Sequence, residues 1–553
     1  MAASSDPPTS AGVRPSIDRM AGVAFVLLLA TAVAALLAFD WAPGVDVPAH
    51  LAMAEALAAQ GSGNAVDVFF DVGTIPAPNA LMMLVGALLS PWLPMSAIGV
   101  ALFAAAVAMI VVGLGSLLAA TDRPRFAALL ALPFVLQWPL MEGLVDFSLG
   151  LGIVLQLGAV LVRWLAEPTR GRGVALAALS VLAFLAHVHA VLYVGLLTGL
   201  VGACWWLVAP RRADLPRVLK AFGLAVGPAA LLVGAWLVAG ESAGALADGS
   251  THEVSFAARL KVLLDDGPLT LAGDGGAELV LWGLVALVVW RVLMRWPTPE
   301  SLENVASDDR VGLAAERALR LFWLVCVAGV LFAPNNIGFY WSIHVRFVPM
   351  VWFIGLWWLV PRGFRPRVWR SWAGLRVFAG ALIVVAVVIG THAAWAKAGR
   401  TWDAWMAGFD RVLAAAPRET TALWLVEPKA AARATGFRLQ PWRHLGQYHT
   451  AINDGLMTFS FGWHPGRLIT EKVRREKFLE RGNLASLERL DAFGCIEVVL
   501  QLGDFDLGAV APLERLARHG NFAVWRRTTL CPGSAVSGVG GQGQRIESRA
   551  REL

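Results

Sequence analysis

A short set of residues in this sequence has the side chains to do chemistry and falls where apolar runs give way to polar ones. Asp40, Asp46 and His50 stand in D-W-A-P-G-V-D-V-P-A-H, and Glu142 and Asp146 in M-E-G-L-V-D-F. His187 and His189 form H-V-H, and Asn335, Asn336, His344 and Arg346 share P-N-N-I-G-F-Y-W-S-I-H-V-R-F. Carboxylates from separate loops that face one cavity can act as a general base and as its partner, or as ligands of a divalent metal. The planar fork of Arg346 suits a phosphate, because it can reach two oxygens at once. Each residue also has a plain structural reading. Asp46 can cap a helix and His50 can face lipid headgroups. Glu142 and Asp146 can be solvated helix ends, the histidines can satisfy backbone carbonyls, and Arg346 can snorkel. What favours function is the conjunction: ionisable groups are costly at a membrane edge and are functional candidates there by default.

The elements that must position these residues can be read from spacing. Asp is a preferred cap and Pro48 is tolerated in a first turn, so a helix is expected just after Asp46. Asp46 and His50, four residues apart, then share a side of that turn. Leu51, Ala54, Leu57 and Ala58 follow at helical spacing, which predicts a helix lying on a membrane or protein surface. Residues 79–92 are apolar but short, and between Pro76/Pro78 and Pro91/Pro94 they read as a second flat helix. The run 174–187 is also short. Its fourteen residues rise about 21 Å against a hydrocarbon core of roughly 30 Å. His187 and His189 would therefore sit in a recess, where only surrounding protein or a water-filled cavity tolerates a polar turn.

Composition sets the class. The 553 residues are 57% hydrophobic and only 16% charged, with a mean hydropathy of +0.62. A soluble chain carries about 25% charged residues. Apolar runs alternate with short Arg-bearing connectors, the pattern of a polytopic helical membrane protein. About eleven spans are expected, near 20–39, 97–120, 126–140, 147–165, 174–187, 190–208, 221–240, 277–295, 319–334, 345–360 and 376–394. The net charge of +6 is explained by basic connectors, not by nucleic-acid binding. Connectors 121–125, 163–173, 209–220, 291–320 and 361–376 are basic, whereas 40–96 contains no Lys or Arg. By the positive-inside bias the first set is cytoplasmic and the second, with 141–146, 188–189 and 335–345, is outside. The long first run, with no convincing cleavage site after it, reads as an anchor.

The expected organisation is a disordered tail (1–19), a transmembrane domain (20–396) with outer loop 40–96, an extracytoplasmic α/β domain (397–530) and a disordered Gly/Ser-rich tail (531–553). Within 397–530 the β-like runs are 422–426, 496–502 and 522–526, with helical stretches at 471–492 and 510–518. Cys204 and Cys326 lie in apolar spans as packing residues. Cys495 and Cys531 fall in the outer region, where a pairing is open.

In this order of parts the chain resembles the GT-C superfamily of integral membrane glycosyltransferases, which includes protein O-mannosyltransferases and the aminoarabinose transferase of lipid A. The matching features are Asp46-Val-Pro-Ala-His50, the helix 51–59, P-A-P-N-A-L-M-M-L and the span closing at T-D-R-P-R. Asp146 corresponds to the second acidic site. The family's first acidic pair is a single Asp here, with Val47 in the second place. The resemblance implies an inner-membrane enzyme with its N-terminus inside, transferring a sugar from a polyprenyl-phosphate donor to an acceptor outside, with inversion. Asp46 would deprotonate the acceptor, Arg346 and His189 would hold the donor phosphate, and Asp146 would orient the acceptor or a divalent metal. His50, Glu142 and His187 complete the candidate substrate-binding set. The rival readings are a transporter, an envelope assembly factor, and a lipid-processing ligase or phosphotransferase. A transporter places polar residues on broken helices near mid-membrane, whereas here they gather at one face.

Overall fold

The structure is a computed structural model of the 553-residue chain. It describes residues 14–73, 77–208, 215–238, 254–266, 271, 274–295, 310–336, 342–362, 372–427, 437–439, 441–457, 469–471, 496–509 and 511–529. The chain is a polytopic α-helical membrane protein with a small C-terminal α/β region. Its first helix, α1 (Arg14–Leu37), starts inside the expected N-terminal tail. In the loop after α1 follow α2 (Val47–Ala58), α3 (Ala65–Phe69), β1 (Phe70–Val72) and α4 (Leu81–Leu89). The bundle continues with α5 (Met95–Ala120), the short α6 (Trp138–Met141), α7 (Val145–Ala166), α8 (Arg170–Ala186), α9 (Val188–Val208) and α10 (Leu215–Val238). After it come α11 (Phe256–Lys261), α12 (Asp274–Arg295), α13 (Arg310–Phe332), α14 (Val348–Leu359) and α15 (Trp372–Met406). Among the described residues six helices are long and apolar enough to cross a membrane by themselves.

One expected span is corrected. Residues 126–140 do not form a continuous helix but a 3-10 segment, Arg125–Phe134, with Pro133 inside it, followed by α6. Proline removes a hydrogen bond and clashes with the preceding turn. The run is apolar because nearly all of it is buried in the bundle, not because it faces lipid.

The core of the bundle is the packing of α5 against α7. Small residues let these helices approach closely: a Cβ on Gly113 would lie 2.5 Å from the carbonyl oxygen of Gly152, and one on Gly152 would lie 2.6 Å from the Met109 backbone. Such contacts are how helices associate in lipid, where apolar burial gives little preference for a neighbour. At the end carrying the basic connectors, Arg123 is buried. Its Nε donates to the Val360 carbonyl (2.9 Å), and its guanidinium lies 4.0 Å above the Trp357 ring. Glu316 lies 3.8 Å from it. This node ties α5, α13 and α14 together.

From α15 the chain enters α16 (Phe409–Ala415), β2 (Thr421–Val426), α17 (Tyr448–Asn453), β3 (Leu456–Met457) and β4 (Ile469–Glu471), then β5 (Val498–Leu502), β6 (Leu513–His519) and β7 (Phe522–Arg527). The sheet order is β3-β2-β5-β7-β6, parallel across β3, β2 and β5 and antiparallel beyond. The central strands are buried on both faces, which is why they read as continuous apolar runs instead of alternating ones. Ala422, Trp424, Val426, Val498, Leu500 and Leu502 join the main core. The alternate residues Leu423, Leu425 and Val499 pack with Trp525 on the other face.

The expected helix at 510–518 is a strand instead. L-E-R-L-A-R-H has helical spacing, yet Gly520-Asn521 closes a two-residue hairpin in which His519 pairs with Phe522. Gly520 has φ +55, the conformation such turns require. The helical stretch 471–492, Cys495 and Cys531 lie outside the described residues beyond Glu471 of β4. Cys204 and Cys326 are buried and free.

The sheet region packs on the loop after α1 through aromatic residues. Trp41 meets Phe409 (5.2 Å) and Tyr448 (4.6 Å), and its carbonyl accepts from Trp402 Nε1 at 2.8 Å. β1 pairs antiparallel with β4, so the loop after α1 and the C-terminal region also share a short ladder.

Candidate active site

The site begins at α2. Its first residues are Val47 and Pro48, as the spacing predicts, but the Asp46 side chain makes no capping bond to the helix. That side chain instead faces His444, whose Nε2 stands 3.4 Å from Asp46 Oδ1. Capping therefore does not explain Asp46.

The backbone around Asp46 is joined to the turn between α6 and α7. Asp46 N–H donates to the Glu142 carbonyl (2.9 Å) and Val45 N–H to the Met141 carbonyl (3.1 Å). The approach needs a glycine: Gly143 has φ +89, and a Cβ there would stand 2.3 Å from Asp46 N. Left-handed backbone costs a non-glycine residue about 1–2 kcal/mol even without a collision. Gly143→Ala is therefore expected to lower the thermal midpoint of the purified protein. Gly223→Ala, on α10 with open space around it, should not lower it. Equal midpoints for the two variants would mean that the two loops are not joined in this way.

The two acids of the second turn are buried, not solvated helix ends. Glu142 lies 3.8 Å from the Arg443 guanidinium. Asp146, in the first turn of α7, accepts the Met82 N–H at 2.6 Å through Oδ1. It thus caps the start of α4 and connects the second turn to the first loop. His50 is buried as well, because α2 is enclosed by α4 on one side and by α17 and the turn 445–447 on another. The expected surface helix therefore lies inside the protein. The C-terminal segment occupies the position that spacing alone gave to headgroups. α4 keeps an outward apolar face, with Leu88 65% exposed.

The two histidines of H-V-H are enclosed by protein. α8 ends at Ala186 and α9 starts at Val188, so only His187 lies between them, and both His187 and His189 are buried. His187 Nδ1 accepts the His189 backbone N–H at 3.0 Å. Its Nε2 is in contact with the Arg346 guanidinium, so the imidazole ring and the cation stand together.

Arg346 itself is buried, so it does not snorkel. Its carbonyl accepts from Tyr193 Oη at 2.9 Å, and its guanidinium lies 5.9 Å from the Phe147 ring. Asn335 accepts the Ile343 N–H through its carbonyl (2.9 Å), closing the loop that leads into His344–Phe347. That segment packs against α6, which brings Arg346 to the same end of the bundle as the Asp46–Glu142 junction. Asp40 lies off this junction, where its N–H donates to Asp403 at 3.2 Å.

Three contributors were not anticipated. Arg443 and His444 come from Q-P-W-R-H-L-G-Q, a stretch whose aromatic and basic residues carry no spacing signal for a site. Gln137, before α6, is 2% exposed, and both polar atoms of its amide lack a hydrogen-bond partner among the described residues. The Nδ1 atoms of His189 and His344 are in the same state. Buried polar groups without partners are rare, and each calls for an explanation. A polar ligand would supply one. No group of three or more His, Cys, Asp or Glu among the described residues could hold a metal ion.

At the other end of α2, Glu55 is pushed up to about 7, first by burial, then by its hydrogen-bonded neighbour Asp454, with Arg418 acting in the opposite direction. Asp454 also accepts from Asn64 Nδ2 at 3.2 Å and pairs with Arg418. A carboxyl raised in the folded state holds its proton more tightly there than in the unfolded chain. Its contribution to stability is therefore complete below about 4.5 and is lost as pH rises through about 7. The thermal midpoint should fall between pH 5 and pH 7.5. Glu55→Gln should flatten that fall. An equal fall in both proteins would count against the carboxyl pair.

The chain is similar to the crystal structure of ArnT from Cupriavidus metallidurans bound to undecaprenyl phosphate, with 14% identity and a TM-score of 0.46. The match covers 91% of this chain and 97% of that one. It is likewise similar to the apo state of that protein, with 12% identity, a TM-score of 0.48 and the same coverage. No family model and no curated protein matches the chain.

Proposed function

We propose that the protein is a glycosyltransferase of GT-C type that moves a sugar from a polyprenyl-phosphate donor to an acceptor on the outer face of the cytoplasmic membrane. In this reading the N-terminus is inside and residues 397–530 form an outer domain. The observation that carries it is a buried arginine, Arg346, on a segment packed against α6, next in the chain to the turn where the Glu142 carbonyl holds the Asp46 backbone.

Asp46 is the base in this reading. The acceptor oxygen attacks the anomeric carbon of the donor sugar and its proton passes to Asp46. The bond from that carbon to the phosphate oxygen breaks, and polyprenyl phosphate leaves with the electron pair. Arg346, with His187 and His189 beside it, would hold that phosphate. The charge increasing on the leaving oxygen in the transition state is then met by a fixed cation in a water-poor site. Glu142 and His50 would line the acceptor side. Asp146 would act through the Met82 amide, as a support for the first loop. The wall of buried polar groups, Gln137 and His344 included, fits a sugar better than an apolar substrate.

The test is to offer the purified full-length protein in nanodiscs a panel of polyprenyl-monophosphate sugars together with a membrane lipid extract. Release of polyprenyl phosphate with a new glycosylated species is expected. No release from any donor in the panel would count against the reading.

A further inference from the structure

Resting on that reading, we infer that His444 is a positioning residue for Asp46, so that the C-terminal segment is part of the catalytic apparatus and not merely a covering domain. The geometry points to a matched pair of contacts. Two consecutive residues of one strap, Arg443 and His444, each approach an acid of a different outer loop: Arg443 stands 3.8 Å from Glu142 Oε1 and His444 stands 3.4 Å from Asp46 Oδ1. The His444 and Asp46 side chains are 4% and 13% exposed, so theirs is not a surface ion pair, whose contribution is small. Arg443 is 34% exposed and Glu142 7%.

The strap is held in place independently of those two contacts. The Trp442 carbonyl accepts from Trp424 Nε1 at 3.1 Å, fixing the residue before Arg443 to β2. Downstream, Asn453 Nδ2 donates to the Leu413 carbonyl at 2.8 Å, and the Glu419 N–H donates to the Asn453 carbonyl at 2.9 Å. Residues 443 and 444 are thus presented by a segment anchored at both ends, on the side of α2 opposite the bundle.

A carboxylate that must take a proton from an acceptor needs one oxygen aimed at that acceptor. Orientation of this kind is a large part of what a site contributes to rate. A ring N–H from His444 toward Oδ1 restrains rotation of the carboxylate. The same N–H keeps the carboxylate from turning onto the helix amides, which is consistent with the absence of any capping bond from Asp46. His444 touches no reacting atom in this arrangement and acts only through Asp46.

The experiment uses full-length variants in cells from which the natural copy has been deleted, at matched protein levels, with untargeted mass spectrometry of the extracted lipids and envelope glycans. Species present with the natural protein and absent with Asp46→Asn define the readout. The His444→Gln amide nitrogen can reach the place of Nε2, whereas His444→Asn is too short and His444→Leu has no donor. Gln should retain a tenth or more of the product, and Asn and Leu should each lose it about 100-fold. A merely structural role predicts a different order, in which Leu, the nearest in volume and polarity for a buried site, is tolerated best. Product at the natural level in His444→Leu, with Asp46→Asn inactive, would overturn the inference and leave the proposed function standing. No species lost in Asp46→Asn would overturn both.

Discussion

Replacing Asp46 by Asn is expected to abolish product formation while leaving the protein folded. The substitution keeps the shape of the side chain and an oxygen for His444 to donate to, but it removes the basicity. The segment is fixed by backbone bonds, Asp46 N–H to Glu142 and His50 N–H to the Asp46 carbonyl at 3.0 Å, and neither depends on the carboxylate. The variant should therefore keep a cooperative thermal transition. Loss of a positioned general base costs about 100- to 10,000-fold, enough to remove a product from a lipid extract. Unused lipid-linked donor should accumulate in the same cells. Product at the normal level would remove Asp46 from the mechanism.

The second large effect is expected at Arg346. Its carbonyl bond to Tyr193 belongs to the backbone and survives any substitution. Arg346→Ala therefore removes the cation with little loss of local anchoring. A hydrogen bond to a charged group contributes about 1.5–3 kcal/mol, so affinity for undecaprenyl phosphate, used as the probe, should fall about 10- to 100-fold. Arg346→Lys should recover only part of it, because an ammonium is a point charge and cannot present two parallel donors. The measurement is titration of the probe into nanodisc-embedded protein. Unchanged affinity in Arg346→Ala would place the phosphate elsewhere.

The sequence made some of this legible and concealed the rest for physical reasons. Run length located most helices: 97–120, 147–165 and 190–208 correspond to α5, α7 and α9 within a few residues. It also located β2, β5 and β7, because strands buried on both faces are continuous apolar runs. The enclosure of His187 by protein followed from a helix too short to cross. Periodicity failed where burial has no preferred face. α2 shows one apolar stripe, yet nine of its twelve residues are buried, because Ala and Met pack against a second partner that local spacing cannot reveal. The 3-10 segment before α6 has the composition of a span, and only Pro133 signals otherwise. β6 has helical spacing because its outer edge faces solvent and alternates weakly. The Gly520-Asn521 turn was the signal that outweighs it. Arg443 and His444 were not legible at all: their neighbours Asp46 and Glu142 lie hundreds of residues away, and contact between them is a property of the tertiary fold.

The reading rests on a single pocket shared by the first loop, the histidine recess and the Arg346 segment. The measurement that tests this most directly is photolabelling of the full-length protein in nanodiscs with a polyprenyl phosphate carrying a diazirine beside its phosphate, followed by mapping of the labelled peptides. Labels should fall on residues 187–193 and 344–347, with weaker labelling of 46–50, and should be lost in Arg346→Ala. Labels confined to the basic connectors at the opposite end, such as 121–125, would contradict the account.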